Sequence, residues 1–456
     1  MAVDLRALLV AYAFPPVGGA GVQRALKLAK YLPSHGVTPS VLTVSNPSVP
    51  VTDETLERDF PEGMEILRAR TFEPGYAVKQ AAWTASAAKK PSLAKRAVKR
   101  AADVAKQLLV PDPQVLWQPA AQLALAKRLA GPSHDDVVVI SGPPFSQFLL
   151  APTARLRPGT AVVLDYRDEW STYRSTYEMM GSRLAGWVGD PLEAALLRSA
   201  HAITTATEEF RKNLLERFTF VDPAKVTYIP NGYDPEDFPK DLPSPRSDRF
   251  VVTYAGTVFK LTSARGFLAA VKKLHAKNPE LARLLEVRFI GRIVDTELDA
   301  FEGMEEFGVT RLGYVDHVTV VRELSASHRV LCLLDDVPNV ERIYPAKIFE
   351  LMFLARPVLT LAPEGALTRL VRAHALGPVL PPRDVDAIVR ELEGALLAFR
   401  DGSNAPPPST GSEGANGAKR GRVGSGIQRY DRRNTAGEFA EVLRKAVSRA
   451  RGMTSP

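Results

Sequence analysis

Two series of apolar runs organise the chain. Ala7 to Tyr12, Ser40 to Val44, Val137 to Ile140 and Ala161 to Leu164 are hydrophobic at nearly every position, and helical spacing separates them, as in Gly21 to Leu32. Strands apolar on both faces, alternating with amphipathic helices, predict a parallel sheet covered on both sides. The pattern restarts at Phe250 to Tyr254 and continues through Val287 to Ile290, Val330 to Leu334 and Val358 to Leu361. The predicted fold class is α/β: two doubly wound, Rossmann-like domains facing a cleft. The proline- and charge-rich stretch 236–249 reads as their linker. The expected domains are 1–235 and 250–401. Residues 402–426 hold seven glycines, three prolines and four serines in 25 positions. They predict disorder, because too little apolar surface is present to offset ordering entropy. A helical stripe resumes within 427–456 at Phe439, Val442, Leu443 and Val447.

Composition narrows the class. A chain of 456 residues, 45% hydrophobic and 24% charged, fits two to three globular domains and excludes a fibre. Cys332 is the one cysteine, inside an apolar run, and predicts a buried thiol in a reducing compartment, hence a cytoplasmic protein. No apolar run reaches the roughly 18 residues that span a bilayer. The start, Met1 to Val10, reads as a first strand rather than a signal peptide. Net charge is +8, and residues 89–106 hold seven basic residues against one acid, or +6 of that excess. A basic amphipathic helix there would dock on an anionic membrane; a solvated helix is the plainer reading. Nucleic acid is not expected, since no stacking aromatic interleaves the charges.

Four segments carry candidate chemistry. Gly18, Gly19 and Gly21 form a turn between a strand and a helix, where backbone N–H groups can approach a phosphate. A ligand-free tight turn is the alternative. The G-x-G-x-x-G and G-x-x-x-x-G-K-S/T spacings are both missing, which argues against a dinucleotide or P-loop site. Leu164 to Trp170 ends a buried strand with charge, and strand carboxyl ends face the ligand crevice in such sheets. Arg167 is a candidate anion clamp, Asp165 and Asp168 candidate base or orienting groups, unless an internal Arg–Asp pair merely holds the loop. Tyr344 to Met352 places Lys347 and Glu350 on one helical face. A lysine at a helix start makes sense if it meets a phosphate, and the carboxylate one turn on can accept ribose hydroxyls; a solvated ion pair is the other reading. Asp384 and Asp386 form a D-x-D that could hold a metal, but helix capping explains it better. No metal and no cofactor is expected.

These segments resemble a known family. Phe14 to Gly21, Val163 to Asp168, Ile229 to Asp234, Tyr254 to Thr257 and Pro345 to Glu350, in that order, are similar to retaining glycosyltransferases of family 4, GT-B fold. The branch is the one near colanic-acid and O-antigen sugar transferases, which Pro111 to Trp117 also resembles. The likeness runs from residue 5 to about 398 and again from 428 to 448. It implies a nucleotide-diphosphate sugar donor, UDP-sugars favoured, and a transfer with retention in cell-surface polysaccharide or glycolipid synthesis. A lipid-linked sugar is the expected acceptor, on the inner face of the plasma membrane. The implied catalytic residues are Lys347, Asp168 and Arg167. The implied donor contacts are Gly18, Gly19, Gly21, Gly256, Glu350 and either Lys260 or Arg265, with Asp165 and Trp170 on the acceptor side. Glu350 matches the second glutamate of the family's E-x7-E pair; position 342, where the first belongs, is Arg342. The last helix should cross back to the N-terminal domain. A catalytically inactive nucleotide-binding relative and a sugar-nucleotide epimerase are the alternatives.

Overall fold

A computed structural model describes residues 4–49, 52–79, 109–132, 134–170, 183–245, 248–403 and 426–453. The basic block at 89–106 and nearly all of 402–426 lie outside them. Contacts divide the chain into one unit of residues 1–231 and 432–456 and a second of residues 232–431.

The first unit is built on seven strands: β1 Leu5–Val10, β2 Val37–Val44, β3 Ile66–Ala69, β4 Val137–Gly142, β5 Ala161–Tyr166, β6 Ala202–Thr205 and β7 Val226–Tyr228. They pair in parallel in the order β3-β2-β1-β4-β5-β6-β7. Side chains alternate across the sheet with period two. Leu8, Val10, Val138, Ile140, Val162 and Leu164 therefore face one core with Trp117, Phe145, Phe148 and Trp170. Ala7, Leu9, Val139 and Val163 face the other. Helix α1 (Ala20–Tyr31) covers that second face together with the last helix, α10 (Arg432–Ala450). The C-terminal helix thus packs on the N-terminal sheet, as expected. Phe439 and Leu443 have no exposed surface, and each contributes roughly 1.5–3 kcal/mol by burial.

The second unit repeats the plan with β8 Phe250–Ala255, β9 Leu285–Ile290, β10 Val309–Leu312, β11 Arg329–Leu333, β12 Val358–Leu361 and β13 Val379–Leu380. The order is β10-β9-β8-β11-β12-β13, again parallel. Helices α5 (Arg265–Lys277), α6 (His317–Ser325) and α7 (Lys347–Leu354) lie between its strands, and α9 (Val385–Arg400) follows the last of them. Cys332 is fully buried on β11, and burial pushes its thiol up to about 11. In each sheet the strand order reverses beside the first strand, between β1 and β4 and between β8 and β11. Such a switch point opens a crevice at the strands' carboxyl ends, where ligands bind in this class of sheet.

Candidate functional site

At the first unit's switch point, β1 runs into the turn that carries Gly18, Gly19 and Gly21. Gly19 caps α1 with φ +91°, a left-handed conformation that only glycine adopts without strain. No acid and no side-chain cap occupies the first turn of α1, and Gly19, Ala20 and Gly21 are exposed. The free N–H ends therefore face solvent.

Arg167, expected as an anion clamp, is engaged otherwise. Its Nη1 donates to the Gly21 carbonyl and its Nη2 to the Pro143 carbonyl. It braces the glycine turn against the loop after β4, because both terminal nitrogens meet carbonyls. Asp168 is half-buried; burial pushes its carboxyl up, and the neighbouring Arg167 opposes that shift.

Two expected acceptor-side residues are corrected. Asp165 is fully buried, and the buried guanidinium of Arg24 binds it, with Nη2–Oδ1 at 2.9 Å. Ser141 Oγ and Thr204 Oγ1 donate to it at 2.7 Å each. Burial raises the Asp165 carboxyl, but Arg24 outweighs burial and holds it below the usual range. Arg24 Nη1 also donates to the Ile229 and Pro230 carbonyls at 3.0 and 3.2 Å. The group ties α1, β5, β6 and the chain after β7 together, and no acceptor can reach it. Trp170 is 1% exposed and stacks on Phe145, ring centroids 4.9 Å apart. It belongs to the core because the aromatic cluster of Phe145, Phe148 and Tyr166 encloses it. The expected Arg–Asp pair in this loop exists, but its arginine is Arg24, and nothing in the local spacing of α1 marks Arg24 as buried.

The second unit's switch point brings Gly256 and Lys347 together. Lys347 opens α7, and its Nζ donates to the Ala255 carbonyl at 3.1 Å. The ammonium lies 3.7 Å from the centre of the Tyr254 ring. Gly256 has φ +136°, and a Cβ there would stand 3.0 Å from Lys347 Nζ. The turn is fixed from beneath: Tyr254 and Thr262 hydroxyls both donate to the Thr257 carbonyl, at 2.9 and 2.7 Å. Lys260 sits exposed on the same turn.

Lys260 and Arg265 differ in their pairing. Arg265 bonds Asp299 at 2.8 Å and the Thr296 carbonyl at 2.7 Å, with Glu297 at 3.5 Å. That ion pairing commits Arg265 to its own surface, whereas Lys260 is exposed on the turn that follows Gly256. Glu350 is half-buried one turn along α7, with His317 Nε2 3.5 Å from its Oε2. His317, at the start of α6, was not foreseen; its only signal is Asp316, which caps that helix through the Thr319 N–H at 3.0 Å. Arg342 lies 3.8 Å from Glu341. Asp384 accepts the Ala387 N–H at 2.9 Å, capping α9, and Asp386 pairs with Lys273. The D-x-D acids are therefore a cap and a surface ion pair.

Two doubly wound parallel units, with the C-terminal helix returned to the first, define the GT-B class. Residues 18–232 match the glycosyl transferase 4-like domain. The first unit thus carries a glycosyl transferase 4-like domain. A D-inositol 3-phosphate glycosyltransferase from Stackebrandtia nassauensis is 28% identical over 195 residues, 40% of this chain and 43% of that protein. The chain thus spans less than half the length of that curated relative. Among solved structures, sucrose-phosphate synthase from Thermosynechococcus elongatus matches with a TM-score of 0.62 at 14% identity, over 96% of this chain and 98% of that one. Anabaena HepE in complex with UDP and glucose matches with 0.57 at 13%, over 96% and 99%. Among the described residues, no helix is long and apolar enough to cross a membrane.

Proposed function

We propose that this protein transfers a sugar from a nucleoside-diphosphate sugar to an acceptor hydroxyl, with retention at the anomeric carbon. The observation that carries this reading is Lys347, a lysine at a helix start, beside a glycine turn, at a topological switch point. A diphosphate there meets an ammonium where the developing charge of a leaving nucleotide needs it. Lys260 supplies a second cation. Glu350 accepts from the ribose hydroxyls, exchanging its contact with His317 for the nucleotide. The UDP and glucose bound by Anabaena HepE favour a UDP-sugar.

The first unit offers, by itself, the open end of α1 with its glycine turn, a place that can accept anionic oxygens, and Asp168 as the group to orient an acceptor hydroxyl. Since Asp384 and Asp386 are committed elsewhere, neutralisation by lysines and helix ends replaces a D-x-D-bound ion. The basic block at 89–106 supports an acceptor presented at an anionic membrane on the cytoplasmic side, in glycolipid or cell-surface polysaccharide synthesis. Incubation with a panel of UDP-, GDP- and TDP-sugars, with and without lipid-linked sugar acceptors and EDTA, tests the reading. Acceptor-dependent release of nucleoside diphosphate that survives EDTA is the expected result. An isomerised sugar would replace it with an epimerase, and binding without turnover with an inactive relative.

A further inference from the structure

We propose that Tyr254 is the positioning residue for Lys347: its buried ring holds the ammonium at the Gly256 turn without neutralising it, so the whole charge faces the diphosphate of a bound nucleotide. This rests on the donor-site reading above. Among the described residues, Lys347 Nζ meets the ring face at 3.7 Å and the Ala255 carbonyl at 3.1 Å. Tyr254 has no exposed surface, and its hydroxyl is tied to the Thr257 carbonyl at 2.9 Å. The ring is therefore fixed at both ends, by β8 and by the turn.

The choice of partner matters chemically. A carboxylate would hold a lysine more strongly, but it would cancel the charge a phosphate must meet. A ring face attracts the cation through its quadrupole and carries no net charge. An ammonium has three N–H donors. The carbonyl and the ring take two directions, which leaves the third for a ligand oxygen. Cys332 is close enough for the Lys347 charge to act on its thiol, yet burial keeps that thiol neutral, so no thiolate competes. Gly256 completes the arrangement, because a Cβ there, 3.0 Å from Nζ, would crowd the ammonium and make it give by a few tenths of an ångström.

Calorimetric titration with UDP and with GDP tests the assignment on the full chain. Tyr254→Phe keeps the face and should bind within about twofold of wild type. Tyr254→Leu should weaken binding roughly fivefold to thirtyfold, the range of a desolvated cation–π contact. In a Lys347→Ala background the same change should cost less than about twofold, since the cation it positions is gone. Pentafluorophenylalanine at position 254 keeps the shape and inverts the ring's electrostatics; it should weaken binding as leucine does, and it serves if Tyr254→Leu fails to fold. Unchanged affinity in the leucine or fluorinated variant would overturn the role, as would an undiminished loss in the Lys347→Ala background. If wild type bound neither nucleotide, the donor-site reading and this role would fall together, whereas binding that ignores Tyr254 overturns the role alone.

Discussion

The two switch points use cations in opposite ways. In the first unit, Arg24 is sealed against a buried carboxylate and Arg167 is bound to two backbone carbonyls. Both guanidiniums hold chain segments together, and neither keeps a terminal nitrogen aimed at a ligand. In the second unit, Lys347 leans on one carbonyl and one ring, and Lys260 is exposed. Planar, five-donor arginine suits multi-point bracing, whereas a compact ammonium suits a single ligand oxygen. A charge near a glycine turn is therefore weak evidence for a ligand until its partners are counted.

The largest expected effect breaks the first side of this contrast. Arg24→Ala leaves Asp165 charged and unpaired among buried groups, which should cost about 3–5 kcal/mol of stability. Urea unfolding followed by circular dichroism measures it. A loss below about 1 kcal/mol would mean that the pair is not structural. Replacing Arg24 and Asp165 together by leucine and valine should recover most of the loss.

Next comes a change on the other side. Glu350→Ala should raise KM for the donor about tenfold and leave kcat within about twofold, because a ribose contact is similar in ground and transition states. Steady-state kinetics at saturating acceptor separates the two terms. A fall in kcat without a change in KM would move Glu350 from ribose binding to the reacting centre.

How much of this contrast could be read from the sequence depends on range. Long strands apolar on both faces were legible, as were the helices between them. Strands of two to four residues, such as β3, β7, β10 and β13, are too short for a period to declare itself. Lys347 was legible because it breaks its local pattern, a cation opening an apolar helix, whereas Gly256 was legible only through the family resemblance. Asp165 and Trp170 were misplaced for one reason. Their partners, Arg24 and the Phe145–Phe148 cluster, come from distant segments, 141 residues away for Arg24. The buried Asp165 demanded a cation, but the nearest arginine in sequence, Arg167, was not the one that met it.

The smallest effect concerns the ends of the sheets opposite the switch points, where the two units agree. His201 Nδ1 accepts the Val162 N–H at 2.9 Å, and His328 Nδ1 accepts the Val251 N–H at 3.1 Å. Burial, with the charges of Arg155, Lys225 and Arg449, lowers His201 to about 4. Between about pH 4 and the ordinary value of 6.5, the unfolded chain binds a proton that the folded chain refuses. Stability from this contact is complete above pH 6.5 and declines as pH falls toward 4. Thermal melting from pH 8 to 4 should show the decline, and His201→Asn, which keeps an acceptor that does not titrate, should flatten it. An identical slope in the variant would remove His201 from the account.

The contrast between the switch points is tested most directly by measuring kcat for sugar transfer in wild type, Lys347→Ala and Arg167→Ala side by side, with folding verified by circular dichroism. Lys347→Ala should lower kcat roughly 10²-fold or more, the scale of a lost transition-state charge contact, and Arg167→Ala less than about tenfold, with its Tm lowered. Wild-type kcat in Lys347→Ala, or a larger loss in Arg167→Ala than in Lys347→Ala, would contradict that contrast.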